Sequence, residues 1–271
     1  MKHTFYLSVA AIVCLALSFS ACDDFFTEGM GSFRDYQVEH INVTVNNLDR
    51  WLDRSVGNPS LAARVGEAIL LKLDDPSLSP EDRAIFLRAA IRITVASSNM
   101  GVIILSNALG ALADLADIEN LTDEEMADVL KNIVANIQGD FRNAGVSAAA
   151  ANIVSIINRD GGIDGANGVP TFPANSFVRD ANPSDVAQTI LVLTLAEMED
   201  KDLNAGNWEN FDLHVFGLEL NEANEIAVRT DAASDTARVL AAYLNMIADD
   251  TSGVFGDNFL TGAIGHAFFE R

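Results

Sequence analysis

Cysteine is almost missing from this 271-residue chain, which has only Cys14 and Cys22. Because both lie near the start, the remaining residues, 23–271, contain no thiol. Disulfides, cysteine metal ligands and a cysteine nucleophile are therefore excluded from that region. A body of about 250 residues without cross-links must rely on its hydrophobic core, and it is long enough for one large domain or two small ones.

Basic residues are also scarce, since 17 Lys and Arg face 39 Asp and Glu, for a formal net charge of −22. Nonspecific nucleic-acid binding depends on Lys and Arg contacts to phosphates, so we expect no nucleic-acid partner. The same balance opposes electrostatic docking on anionic lipid. An acidic surface keeps an exported protein soluble, and it also attracts cations or basic partners. At 49% hydrophobic residues the chain is not disordered.

Long uninterrupted apolar runs are absent. The apolar stretch Phe5–Leu17 is shorter than the roughly 20 residues that span a bilayer. Residues 93–113 carry no charge, but Ser97, Ser98 and Asn99 interrupt them. This interruption favours two buried helices joined by a turn over a membrane span.

Sequence motifs of catalysis are missing as well. No GxSxG, P-loop or dinucleotide-binding fingerprint occurs, and the histidines that follow Cys22 are not at metal-ligand spacing. These histidines are His40, His214 and His266. Closely spaced acids are common in so acidic a chain, and we assign no catalytic role to two such pairs, Glu197/Glu199 and Asp249/Asp250. The chain is therefore predicted to be non-enzymatic, with no catalytic residue and no cofactor.

One loop resembles a calcium site in part. In residues 159–170, Asp160 and Asp164 match the first and fifth positions of an EF-hand loop. Gly162 at the third position and Thr171 at the twelfth supply no carboxylate. Asp160 and Asp164 are thus weak candidate ligands, and we expect no metal there.

The start of the chain has the order of an export signal. Met1–His3 is basic, Phe5–Leu17 is apolar, and small residues precede Cys22. Ser20-Ala21-Cys22 resembles the lipobox of bacterial lipoproteins. The resemblance implies cleavage before Cys22 and lipidation of that residue, which anchors the protein to a membrane of the cell envelope through acyl chains. An ordinary secretory signal and a buried N-terminal helix are the alternatives.

Two acidic residues, Asp23 and Asp24, follow the cysteine. In bacterial lipoproteins such residues favour inner-membrane retention in some lineages and export to the surface in others, so the leaflet stays open. Each buried methylene of an acyl chain contributes about 0.8 kcal/mol, and one chain alone anchors only marginally. Several chains on Cys22 would hold the protein at the membrane.

The remainder of the chain shows helical periodicity, clearest at 123–137 and 234–248. Ser79 followed by Pro80 predicts another helix start. We expect further helices near 46–56, 60–73, 102–116, 147–158, 184–199, 222–228 and 258–269. The sequence at 40–45 is consistent with one short strand or with the start of the first helix. The prediction is an all-α protein of about nine or ten helices, in a helical-hairpin bundle or short solenoid that weakly resembles helical-repeat envelope lipoproteins.

Glycine and proline divide the body into two halves. Residues 159–181 contain Gly161, Gly162, Gly165, Pro170 and Pro173, which end regular structure. The predicted organisation is a signal peptide, a tether, a first helical half, a Gly/Pro-rich connection and a second helical half sharing one core with the first. Their bounds are 1–21, 22–34, 35–158, 159–181 and 182–271.

Two functional hypotheses follow. In the first, a lipid-anchored envelope protein acts in binding or assembly through a helical surface, and a groove lined by Trp51, Trp208 or phenylalanines would support it. In the second, the protein binds a small apolar or lipid ligand between helices, possibly for a transporter, and an enclosed apolar cavity would support it. The identity of the partner or ligand stays open.

Overall fold

Six α-helices and two β-hairpins form most of the described part of the protein. The computed structural model describes residues 41–98, 145–166, 168–200, 213–223, 225–229 and 234–249. The helices are α1 (Leu48–Ser55), α2 (Pro59–Leu73), α3 (Pro80–Ser97), α4 (Val146–Asn158), α5 (Pro183–Asp200) and α6 (Asp235–Ala248). The strands are β1 (Asp164–Ala166), β2 (Val169–Thr171), β3 (Leu218–Leu220) and β4 (Ile226–Val228). Short 3₁₀ turns cover Val45–Asn47, Phe177–Asp180 and Leu213–Phe216.

Polar side chains set the starts of three helices. The predicted cap Ser79 is confirmed, because its Oγ accepts a hydrogen bond from the backbone N–H of Asp82 at 3.0 Å, and Pro80 is the first helical residue. The Oδ1 atom of Asn58 accepts from the N–H of Leu61 at 3.0 Å at the start of α2. Ser234 caps α6 in the same way.

The helices pack in a chain of neighbours. Helix α3 lies against α2 and α4, and α5 lies between α4 and α6. One continuous hydrophobic core extends from Val43 to Ile247. Residues 189–198 of α5 and 239–247 of α6 are buried on every side, and most of them are apolar, as expected for helices surrounded by others. The buried polar exceptions are Thr189, Thr194, Glu197 and Asn245. Among the described residues, no helix has both the length and the apolar character needed to cross a membrane.

The two hairpins are joined to each other and to α6. Each is antiparallel, with Ala166 opposite Val169 in the first and Leu220 opposite Ile226 in the second. The N–H of Val228 donates to the carbonyl of Gly168 at 3.0 Å, which links the hairpins. Gly168 lies at the turn of the first hairpin with φ +80°, a conformation that favours glycine.

The prediction of an all-α protein with nine or ten helices is wrong. The described residues contain six helices and two small antiparallel sheets, and 66% of the region is helical. Each strand is only three residues long, too short for an alternating pattern to appear in the sequence. The Gly/Pro-rich stretch 159–181, interpreted as a connection without regular structure, instead contains the first hairpin, with Gly165 in β1 and Gly168 at the turn.

The predicted helix at 222–228 is a turn followed by β4. The Oδ1 atom of Asn221 accepts from the backbone N–H groups of Ala223 and Glu225, both at 2.9 Å. This local bonding competes with helix formation. The predicted helices near 102–116, 123–137 and 258–269 lie outside the described residues. Of residues 40–45, the described part is irregular up to the 3₁₀ turn that leads into α1.

Candidate functional site

A groove of about 250 Å³ lies where α2, α3 and α4 meet. We call it the three-helix groove. Its lining consists mainly of small and polar residues: Ala62, Ala63, Gly66, Glu67, Leu70, Ala90, Ile93, Thr94, Ser97, Asn152, Ser155, Ile156 and Arg159. Five of its lining residues are exposed, so the groove faces solvent within the described part of the chain: Ala63, Glu67, Asn152, Ser155 and Arg159.

Small residues form the floor of the three-helix groove. Ala62 and Ala90 are fully buried, and Gly66 lies one turn after Ala62 on α2. A Cβ atom added at Gly66 would lie 3.4 Å from Cγ2 of Ile93, so α2 and α3 lie close together here while leaving room for a methyl group. The small side chains at Ala62, Gly66 and Ala90 leave space at this helix crossing.

Two of the four short polar side chains in the groove are engaged by their own helix. Oγ1 of Thr94 donates to the carbonyl of Ala90 at 2.7 Å, and Oγ of Ser97 donates to the carbonyl of Thr94 at 2.8 Å. Asn152 and Ser155, by contrast, are exposed and make no side-chain hydrogen bond within the described chain. They lie three residues apart on α4 and therefore on one face. The amide of Asn152 offers both donors and an acceptor to a ligand.

Charge in the groove is unevenly compensated. Arg159, at the end of α4, donates from Nη1 to Oδ1 of Asp74 at 2.9 Å, so its positive charge is already paired. Glu67 is exposed and has no ion pair within the described residues. The groove therefore presents a carboxylate with no ion pair among the described residues, beside a guanidinium that is already bonded to Asp74, and this arrangement favours a cationic ligand group over an anionic one.

An exposed leucine extends the apolar surface next to the groove. Leu71, 73% exposed, directly follows the lining residue Leu70 and lies one turn after Glu67 on α2. A single exposed leucine is ordinary on a protein surface. Beside a groove, it offers apolar area that a bound partner can cover.

The tryptophan expected to mark a binding surface does not line the groove. Trp51 is half-buried against the core on α1, with the guanidinium of Arg54 at 5.9 Å from its ring centre. Trp208, His40 and His266 lie outside the described residues. For His214, the structure describes the backbone of its 3₁₀ turn, while the side chain lies outside the description. Cys22 also lies outside the described residues.

Of the two weak metal candidates, Asp160 is hydrogen-bonded within the fold and Asp164 is exposed. Oδ2 of Asp160 accepts from Oγ of Ser176 at 3.1 Å and from the N–H of Phe177 at 3.3 Å, so it holds the start of a 3₁₀ turn. Asp164 lies exposed on β1 opposite Thr171. Within the described ranges no three His, Cys, Asp or Glu residues are grouped closely enough to hold a metal ion.

The two paired acids whose side chains the structure describes, Glu197 and Asp249, do not line the three-helix groove. Glu197 is buried in α5, where Oε1 accepts a hydrogen bond from Oγ of Ser234, the cap of α6. Asp249 is exposed just after α6. The side chain of Glu199 and all of Asp250 lie outside the described residues. Glu197 therefore connects two helices, a role that its position beside another acid did not indicate.

A buried polar cluster between α5 and α6 was also missed from the sequence. The Tyr243 hydroxyl is hydrogen-bonded to Thr189, and Oγ1 of Thr189 donates to the carbonyl of Asp185 at 2.7 Å. Burial raises the pKa of Asp185 above its usual value, an effect that the charge of Arg92 opposes. Burial also raises the pKa of Tyr243. The four-residue spacing of Asp185 and Thr189 was the only sequence signal for this cluster.

Comparison of the chain with protein-family models, with curated proteins and with solved structures finds no match. The chemistry of the site must therefore be argued from the groove itself. Its lining combines a small-residue floor with an amide, a hydroxyl and a carboxylate whose side chains have no partner in the part of the chain that the structure describes, and such groups can recognise a ligand.

Proposed function

We propose that this chain is a lipid-anchored protein of the bacterial envelope that acts by binding a partner protein in the three-helix groove. The observation that carries the binding role is the groove itself, where Asn152, Ser155 and Glu67 offer uncommitted polar groups above a floor of small residues. Such a solvent-accessible groove on packed helices suits a segment of another protein.

The membrane anchor is supported by the first 22 residues. A basic start and an apolar stretch have the order of an export signal, and Ser20-Ala21-Cys22 resembles a lipobox, although Phe19 departs from the usual leucine. We expect Cys22→Ala to move the protein from the membrane fraction to the soluble fraction, because the acyl chains would be the only link. Circular dichroism should show the same helix content. Variant protein that still sediments with membranes in high salt would contradict the anchor.

The second hypothesis, a small apolar or lipid ligand, gains no support from this groove. A lipid pocket is enclosed and mainly apolar. The three-helix groove is open, and its lining includes Glu67, Asn152 and Arg159. These polar groups would lose their water contacts to an apolar ligand without gaining hydrogen bonds.

A blocked groove tests the binding role. Ala63 lines the groove and is exposed, so Ala63→Trp fills it without disturbing the core. Ala223→Trp is the matched control, because Ala223 is exposed in the β3–β4 turn. We expect the partner proteins that crosslink to the wild type in membranes to crosslink also to Ala223→Trp, and not to Ala63→Trp. Equal crosslinking by both variants would show that the groove is not the binding site.

A further inference from the structure

We infer that the occupant of the three-helix groove is an extended segment of a partner protein that places a lysine or arginine against Glu67. This inference rests on the proposed function and names the kind of partner that the groove accepts. Three features of the groove support it: its charge, its free hydrogen-bonding groups and its size.

The charge requirement comes from the contrast between Glu67 and Arg159. Arg159 is already paired with Asp74 at 2.9 Å, whereas Glu67 has no ion pair among the described residues. A ligand carboxylate or phosphate would lie beside the guanidinium of Arg159, which is already bonded to Asp74, and would be repelled by the carboxylate of Glu67. A ligand cation meets a free carboxylate in a protein of net charge −22, whose field also attracts it from a distance.

The extended conformation follows from Asn152 and Ser155. An extended backbone presents free N–H and C=O groups, and a side-chain amide can donate to one and accept from the other. A helical occupant uses its backbone groups internally and leaves the amide of Asn152 without a backbone partner. The pair on α4 therefore selects a segment whose backbone is available for hydrogen bonding.

The size of the groove limits the occupant to a short stretch. Pockets for drug-sized ligands measure about 300–1,000 Å³, and this groove is smaller at about 250 Å³. The small floor residues Ala62, Gly66 and Ala90 let a backbone lie close to α2 and α3. A few residues with small side chains around one basic residue fit this shape.

The test uses the full chain in detergent micelles and a library of capped hexapeptides in which one position at a time is fixed. We expect the wild type to retain peptides with a fixed lysine or arginine in preference to those with glutamate or alanine. An exposed ion pair contributes a modest amount, so Glu67→Gln should lower this preference by up to about fivefold. Glu219→Gln, an exposed acid on β3, is the matched control and should leave the preference unchanged.

A second variant tests the backbone contact. Asn152→Ala should weaken retention of all peptides by about tenfold, through loss of up to two hydrogen bonds, while the preference for a basic residue persists. Retention unchanged in Asn152→Ala would overturn the extended-backbone part of the inference. Each variant should keep the circular dichroism spectrum of the wild type, since both side chains are exposed.

The possible failures separate the two proposals. Peptides retained through the groove, and lost from Ala63→Trp, without any preference for basic residues would overturn this inference and leave the proposed function standing. No retention of any library member would also overturn it. Peptides retained equally by the wild type and Ala63→Trp would show that the groove is not the binding site, and both proposals would fall.

Discussion

Asn245 holds both hairpins against α6, and its replacement gives the sharpest test of the fold. The side chain is buried at 4% exposure. Its Oδ1 accepts from the N–H of Ile226 at 2.8 Å, and its Nδ2 donates to the carbonyls of Ile226 at 2.9 Å and Pro170 at 3.0 Å. Because β4 pairs with β3 through its other edge, the backbone N–H and C=O of Ile226 have no strand partner there among the described residues, and the side chain of Asn245 forms hydrogen bonds with both.

The cost of Asn245→Ala follows from these three hydrogen bonds. Each contributes about 0.5–1.5 kcal/mol net, and a buried group left without a partner costs about 1–3 kcal/mol. The N–H of Ile226 has one hydrogen, so it suffers most, while the carbonyls tolerate the loss better. Alanine favours the helical conformation more than asparagine does, and this stabilises the variant by about 0.5 kcal/mol. We expect the free energy of unfolding to fall by about 3 kcal/mol.

Urea denaturation followed by circular dichroism measures this change. Asn152→Ala, an exposed asparagine on α4, is the matched control and should change the free energy of unfolding by less than about 0.5 kcal/mol. A loss below about 1 kcal/mol for Asn245→Ala would refute the reasoning, since it would mean that the three hydrogen bonds are easily replaced by water.

Three further outcomes follow from local contacts. Gly66→Ala should stabilise α2 by about 0.5–1 kcal/mol in urea denaturation, because the added Cβ meets Ile93 at an ordinary 3.4 Å; destabilisation would show that the crossing is tighter than described. Asp160→Ala should cost about 1 kcal/mol through the lost hydrogen bonds from Ser176 and Phe177. Added calcium should leave the wild-type melting temperature unchanged, and a calcium-dependent rise would favour a metal site at Asp160. Burial raises the pKa of Asp185, so the folded state binds the proton of this carboxyl more readily than the unfolded state. The free energy of unfolding of the wild type, relative to that of Asp185→Asn, should therefore increase as the pH falls from 7 through the raised pKa. A difference that does not change with pH would refute this.

Helix positions followed directly from the sequence where local chemistry and periodicity agreed. Ser79 and Pro80 specify a helix start through a side-chain hydrogen bond and a fixed φ angle, both independent of the rest of the fold. The stripe around Leu240 and Leu244 likewise reports a buried helix face. These signals are local, and α3 and α6 lie where they were predicted.

The hairpins were missed because their stabilising contacts are distant in sequence. The bond from Asn245 to Pro170 joins residues 75 positions apart, and strands of three residues have no readable period. At 222–228 the apolar spacing suggested a helix, while Asn221 directs the backbone into a turn. Here tertiary contacts and turn chemistry outweigh the periodic pattern.

The three-helix groove was equally beyond sequence reasoning. Alanine and glycine occur throughout the chain, and nothing marks Ala62, Gly66 and Ala90 as neighbours until α2 packs on α3. The expectation of an aromatic surface followed the usual composition of interfaces. Trp51 instead packs against the core, and the polar groups of α4 supply the site.

Photo-crosslinking in native membranes tests the central claim, that the three-helix groove holds a protein segment. A benzoylphenylalanine placed at the exposed Leu71 lies beside the groove without filling it, and one at Ala223 lies in the exposed β3–β4 turn. We expect a discrete crosslinked protein from position 71, lost when Ala63→Trp fills the groove, and none from position 223. Absence of a crosslink at position 71, or the same crosslink from both positions, would contradict the account.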